Sequence, residues 1–301
     1  MDRFNVLAAW FIGTTVLILL AVSDGGAKWR IPDDRQFPSA HAMRGAESAF
    51  CGGTHIKDNG KLLGARPNEP LVTCERDVGG DDTIYVWGDS HARHLLPGLS
   101  TTFPKQNIVV FYMTSCSPEN GTGAYANNYA GRFALAEGCR DRNQRALSFF
   151  EQMDAPARIV IHQSPLHEPV LGDDKLDATA QILDRLDAKG HRVALVGHVV
   201  VPQKDLVDCL RVPGVYPDSL QARRCIGGKD VADEVAAKNA VLAKRFAEHF
   251  VDPTNHFCDE GGACRYSVDG VPLYRDKHHL SVTGSQLMVA ALRERLSELL
   301  F

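Results

Sequence analysis

The sequence predicts an α/β fold, a three-layer α/β/α sandwich around a mainly parallel, roughly five-stranded sheet, preceded by one N-terminal transmembrane helix. Three observations predict it. Short β-rich apolar runs alternate with helix-period segments from Ile84 to the C-terminus, and such strands pair in parallel through crossover helices on both faces. The polar loops that follow the runs collect at the sheet's carboxyl edge, where open α/β sheets bind ligands. Residues 4–22 carry no charge and approach the roughly 20 residues that a spanning helix needs.

That first segment, FNVLAAWFIGTTVLILLAV, is longer than a usual signal-peptide core and has only Arg3 as its basic flank. This favours an anchor over a cleaved signal, whose candidate cleavage sites are Ala21-Val22-Ser23 and Gly25-Gly26-Ala27. A third reading makes it the last membrane helix of a larger protein. Residues 23–50 form a linker and residues 51–301 one domain, because only one periodic α/β pattern is present. The formal net charge of −4, from 33 basic and 37 acidic residues, argues against nucleic acid as a partner. His41 and His55 are isolated and read as solvated loop residues.

Eight cysteines follow the anchor, Cys51, Cys74, Cys116, Cys139, Cys209, Cys225, Cys258 and Cys264, and none makes a Cys-x-x-Cys pair. Zinc-thiolate or thioredoxin-like chemistry therefore has little support, and no metal or cofactor is predicted. An even count behind an export signal predicts disulfides in an oxidising compartment. Sequential pairing is expected, since each bridge then closes one loop between core elements; Cys51 and Cys74 clasp an otherwise irregular leader.

The first strand, Ile84–Trp87, breaks at Gly88 and turns through Asp89-Ser90 into a helix near His91. Ser90 thus stands where free helix amides favour developing negative charge, as a nucleophile requires, although serine and aspartate are also ordinary caps. The second strand, Asn107–Tyr112, ends in the loop Met113–Pro118. Asn127–Met153 is helical, and a third strand, Arg158–Ile161, ends in His162-Gln163-Ser164-Pro165; His162 and His167 read as loop residues. A helix over Asp177–Ala188 leads past Gly190 to the fourth strand, Arg192–Gly197. Val201–Gly228 reads as an insertion over the site, where Tyr216 and Arg211 are candidates for acceptor contacts. A helix over Lys229–Phe250 precedes a short fifth strand, Phe250–Asp252. The last helix, with Ser281 as its expected cap and Thr283 as the alternative, carries a buried stripe of Leu287, Met288, Ala291, Leu292, Leu296 and Leu299.

Just before that cap, Tyr274-Arg275-Asp276-Lys277-His278-His279-Leu280-Ser281 supplies an acid and a base in one loop. A serine nucleophile needs a base to take its proton, and that base needs a carboxylate to fix its tautomer. Gly88-Asp89-Ser90-His91 and Asp276-x-x-His279-Leu280-Ser281 resemble the first and last blocks of the SGNH (GDSL-like) hydrolase superfamily. They resemble most the SGNH domains attached to family-three membrane acyltransferases, over roughly residues 50–301.

The resemblance implies an SGNH/flavodoxin-like sheet and a catalytic set of Ser90, Asp276 and His279, with His279 preferred over His278 because it directly precedes Leu-Ser. The family's middle blocks, which often give a glycine and an asparagine to the oxyanion hole, have no clear counterpart. The Ser90 amide, the Thr114–Ser115 amides and the side chains of Gln163 or Ser164 are the candidates by position. The resemblance further implies O-acyl, probably acetyl, transfer to hydroxyls of an exported polysaccharide, with a membrane acyl-donor partner and a catalytic domain in the periplasm, held at the bacterial inner membrane by the N-terminal helix. A periplasmic carbohydrate acetylesterase and a catalytically silent glycan-binding or scaffold subunit are the alternatives.

Overall fold

Strict alternation along the apolar runs sorts their side chains to two sides, and the sheet is built on that sorting. The computed structural model describes residues 74–121, 133–162, 172–202, 229–258, 264–265, 267–268 and 271–301, with residues 46, 49 and 50. Its main sheet contains β1 (Cys74–Arg76), β2 (Thr83–Gly88), β3 (Asn107–Tyr112), β4 (Arg158–His162), β5 (Arg192–Val196) and β6 (Phe250–Val251). The spatial order is β1-β3-β2-β4-β5-β6. Strands β2 to β6 are parallel, whereas β1 lies antiparallel on β3, pairing Cys74 with Val110 and Arg76 with Ile108. The sheet is therefore mixed and six-stranded. The sixth strand falls where the sequence suggests only an irregular leader, because a three-residue edge strand is too short to carry a period of two and takes its conformation from β3.

The helices are α1 (Ser90–His94), α2 (Leu96–Thr102), α3 (Phe133–Glu151), α4 (Asp173–Asp187), α5 (Lys229–Arg245), α6 (Thr254–Phe257), α7 (Val282–Ala291) and α8 (Arg293–Leu300). One core joins Ile84, Val86, Ile108, Val110, Val160 and Ala194 to Leu96 and Leu99 of α2, Met288 of α7 and Leu296 of α8, and to Leu95 and Leu292 at the junctions between the paired helices. The other joins Trp87, Phe111, Ile159, Ile161, Val193 and Leu195 to Leu147 and Phe150 of α3, Ile182 and Leu186 of α4, and Leu242 of α5. Leu287 is exposed, as is Ala291, so the stripe expected of the last helix is turned: Ser285, Met288, Val289, Leu292, Leu296 and Leu300 face inward. That run follows the i, i+3, i+4 spacing from the Ser281 cap, and Leu287 lies off it.

After β3 the chain reverses its direction of travel across the sheet, which puts the topological switch point, where open α/β sheets bind ligands, at the carboxyl ends of β2 and β4. Beside that switch point, the loop after β3 is tied to α3 by the Cys116–Cys139 disulfide. Asn143 holds the same loop, donating from Nδ2 to the Ser117 carbonyl at 2.6 Å and accepting at Oδ1 from Trp87 Nε1 at 2.9 Å. A second bridge joins Cys258 to Cys264. Cys74 is also disulfide-bonded. Its expected partner Cys51, the expected Cys209–Cys225 pair, the insertion with Arg211 and Tyr216, His41, His55 and His167 lie outside the described residues. So do residues 4–22; among the described residues no helix is long and apolar enough to cross a membrane.

Candidate active site

Gly88 ends β2 in register with His162 at the end of β4. A Cβ on Gly88 would stand 1.8 Å from the His162 carbonyl oxygen, so glycine is required here for the close approach of two strands. It is not required for a left-handed backbone, since among the described glycines only Gly79 and Gly190 have positive φ. Asp89 then caps α1, its Oδ1 accepting from the His91 amide at 2.7 Å. Ser90 is the first helical residue, not the cap, and its amide has no carbonyl within the helix to donate to.

The acid and base arrive on a closed loop. The Ser281 amide donates to the Leu273 carbonyl at 2.9 Å and the Arg275 amide to the His279 carbonyl at 3.0 Å. Buried Tyr274 anchors the loop, its hydroxyl donating to the Val200 carbonyl at 2.6 Å. Within it, Asp276 Oδ1 accepts from the amides of His278 at 3.0 Å and His279 at 2.8 Å. The His279 Nδ1 lies 2.9 Å from Asp276 Oδ2 and 3.1 Å from Oδ1, and its Nε2 lies 2.8 Å from Ser90 Oγ. Ser90, His279 and Asp276 thus form one hydrogen-bonded line across 189 residues of sequence.

Burial raises the Asp276 carboxyl, but hydrogen bonds from His279 and from the two amides, with the attraction of the His279 ring, outweigh it and hold the group well below its ordinary value. Burial pushes His279 down to about 4; the Asp276 hydrogen bond opposes that shift and His91 adds to it. At neutral pH the pair is carboxylate and neutral imidazole, with Nδ1–H turned to Asp276 and the Nε2 lone pair to the serine hydroxyl.

Three more imidazoles surround the line. The His91 ring stacks on His279 at 4.7 Å between centroids, its Nδ1 3.1 Å from Asp89 Oδ1 and its Nε2 3.0 Å from the His278 carbonyl. Deeper, His94 and His162 meet through their Nε2 atoms at 3.2 Å. The Leu280 amide donates to His94 Nδ1 at 3.2 Å, so His94 carries its proton on Nε2 and gives it to His162 Nε2; His162 Nδ1–H then donates to the Val196 carbonyl at 3.1 Å. Burial keeps both rings neutral, lowering His94 well below its ordinary value and His162 to about 4.

His162 is thus a buried strand terminus and not the loop residue that the sequence suggests, because β4 extends one residue further to pair with Gly88. The roles of His91, His94 and His162 escaped the sequence reading. The i, i+3 histidines directly after Ser90 were the available signal, since they lie on one face of a helix that starts at the site. His278 competes for the serine in sequence only: its buried Nδ1 meets no hydrogen-bond partner among the described residues, while His279 meets Ser90. Ser115 stands half-buried in the loop after β3 with φ of 55°, a left-handed conformation that is uncommon outside glycine. That loop is pinned on one side by the Met113 amide, 3.4 Å from the Gly88 carbonyl, and on the other by Cys116. Gln163 and Ser164 lie outside the described residues.

The family model described as the SGNH domain (fused to AT3 domains) matches residues 55–294. Among solved structures, the periplasmic domain of a Salmonella ser. Paratyphi A lipopolysaccharide acetyltransferase matches with a TM-score of 0.62 and 14% identity, over 88% of this chain and 100% of that one. At that identity the likeness is one of fold. No curated protein sequence matches the chain.

Proposed function

The chain belongs to the SGNH domain family found fused to AT3 domains, and from that premise we propose that it transfers an acyl group, acetyl by preference, to hydroxyls of an exported cell-surface polysaccharide. The observation that carries this reading is the contact of Ser90 Oγ with His279 Nε2 at 2.8 Å, backed by Asp276 on the opposite ring nitrogen. In it, Ser90 is the nucleophile, His279 the general base and Asp276 the group that fixes the tautomer of His279 and stabilises its cation.

The reaction runs in two halves. His279 Nε2 takes the Ser90 hydroxyl proton as Oγ attacks the acyl carbonyl of the donor. The tetrahedral intermediate collapses to an acyl-serine ester, and the donor's leaving oxygen or sulfur departs with the proton held by His279. A sugar hydroxyl then gives its proton to His279, attacks the ester and leaves as the acylated sugar, returning the proton to Ser90. The Ser90 amide supports the oxyanion in both halves, and the Ser115 amide, presented by a pinned left-handed loop, is the second donor we assign; Gln163 is the alternative by sequence position.

The domain divisions at residues 22 and 50, the membrane anchor over residues 4–22 and a membrane acyl-donor partner complete the reading. The Cys116–Cys139 and Cys258–Cys264 bridges support an oxidising compartment, and the similar Salmonella domain is periplasmic, so the catalytic domain is assigned to the periplasm. The test uses the full-length protein, wild type beside Ser90→Ala, with an activated acetyl ester and candidate polysaccharides from the bacterial envelope. Serine-dependent acetylated glycan is the expected product, and loss of the nucleophile should cost ~10⁶-fold in turnover. Serine-dependent release to water alone would replace transfer by esterase activity. Equal rates from both proteins would remove the catalytic reading altogether and leave a glycan-binding or scaffold role.

A further inference from the structure

Two of the imidazoles at the site share an arrangement that serine chemistry needs only once. His279 has Asp276 on Nδ1 at 2.9 Å, and His91 has Asp89 on Nδ1 at 3.1 Å. A histidine whose Nδ1 is held by a carboxylate and whose Nε2 points away from it is the usual form of a histidine that ligates a metal ion, although at rest the Nε2 of His91 faces the His278 carbonyl and that of His279 faces Ser90 Oγ. The two rings stack 4.7 Å apart, and a third ring, His278, lies with its centroid 4.0 Å from that of His279 and 5.4 Å from that of His91. Its Nδ1 is buried and meets no hydrogen-bond partner among the described residues, a cost of roughly 1–3 kcal/mol for a polar atom. One ring nitrogen from each of the three lies within 4.8 Å of the others.

We propose that His91, His278 and His279 form an inhibitory site for a divalent ion of the zinc type, closing over the catalytic base. Three imidazoles match zinc and its borderline neighbours and do not match calcium or magnesium, which take oxygen. Binding gives the orphaned His278 nitrogen a partner and turns His91 Nε2 from the His278 carbonyl to the ion. At His279 the ion takes the Nε2 lone pair that otherwise receives the Ser90 proton, so the metal-bound protein has no base. Ser90 Oγ, 2.8 Å from that nitrogen, or a water fills the fourth position. The metal site stands independently of the proposed acyl transfer; only its inhibitory consequence rests on that reading.

The test titrates the full-length protein with Co²⁺, which replaces zinc and reports tetrahedral nitrogen coordination by its visible absorption, and in parallel measures the zinc concentration that halves ester turnover. Wild type and Ser90→Ala should both develop the cobalt band, since both keep three imidazoles. In His278→Ala and His278→Gln, whose backbone contacts to Asp276 and His91 remain, the band should vanish. The half-inhibiting zinc concentration should rise at least ~10-fold, as even loss of an outer-shell partner costs ~10–100-fold in affinity. No band in the wild type, or an equal band in a folded His278 variant, overturns the site. Absence of serine-dependent turnover with the cobalt pattern intact would instead overturn the proposed function and leave the metal site standing.

Discussion

At the scale of single residues, the ring of His279 decides the pH at which the site can work. It acts as a base only when neutral, and burial has moved its protonation down to about 4 against the pull of Asp276. The sign follows directly: lowering the pH protonates Nε2 and removes the acceptor for the Ser90 proton, so activity is lost on the acid side. The acid limb of kcat/KM should therefore centre below the ordinary histidine value of 6.5, towards about 4, leaving the rate flat through neutrality. Enzyme held briefly at each acid pH and then assayed at neutral pH controls for unfolding. A limb centred at or above 6.5 would show that Asp276 and solvent outweigh burial, against the geometry described above.

At the scale of elements, the site depends on how closely β2 and β4 end beside each other. Gly88 and His162 are register partners, and a methyl group on Gly88 would meet the His162 carbonyl at 1.8 Å and the Ala92 Cβ at 2.9 Å. Backbone on one side and a helix on the other leave little room to yield. Gly88→Ala should cost ~3 kcal/mol, the upper end of ordinary overpacking, and should displace Ser90 from His279. Chemical denaturation and turnover measured together check this: the loss of turnover should exceed what the unfolded fraction explains, and a fully stable, fully active variant would contradict it. The same junction explains what the sequence made legible. The parallel strands announce themselves because each is a short, nearly continuous run of β-branched, aromatic and other apolar residues, and Ser90 and Asp276-x-x-His279 stand out because each motif is contiguous. The role of Gly88 and the burial of His162 depend on a neighbour that arrives 74 residues later in the chain, and no local pattern encodes that. The edge strand at Cys74 was hidden for the same reason, its only ladder being borrowed from β3.

At the scale of the whole molecule, the neutral His94–His162 pair joins four parts of the fold: α1, the end of β4, the Val196 end of β5 and the loop that carries Asp276 and His279. Every proton in that chain is committed to a neighbour, so a further proton on either ring breaks it. In the unfolded chain both histidines bind protons at their ordinary value of 6.5, whereas in the fold His162 waits until about 4. Between these values the unfolded state holds more protons, so stability falls as the pH falls, beginning near 6.5 and complete near 4. For His162 the loss is on the order of 3 kcal/mol, a large share of the ~5–15 kcal/mol that holds a domain folded. Asp276 does not blur this window, because a lowered carboxyl gives up its stabilisation only below its ordinary value of 3.8. His256, His278 and His279 are also lowered by burial and add to the loss in the same direction, so the pair is isolated by difference. Unfolding free energy measured at neutral pH and at about pH 5 should drop steeply in the wild type. In a His94→Gln, His162→Gln double variant, weaker at neutral pH, the drop should be shallower by the share those two rings carry. An unchanged slope would mean that the acid sensitivity of this fold resides elsewhere.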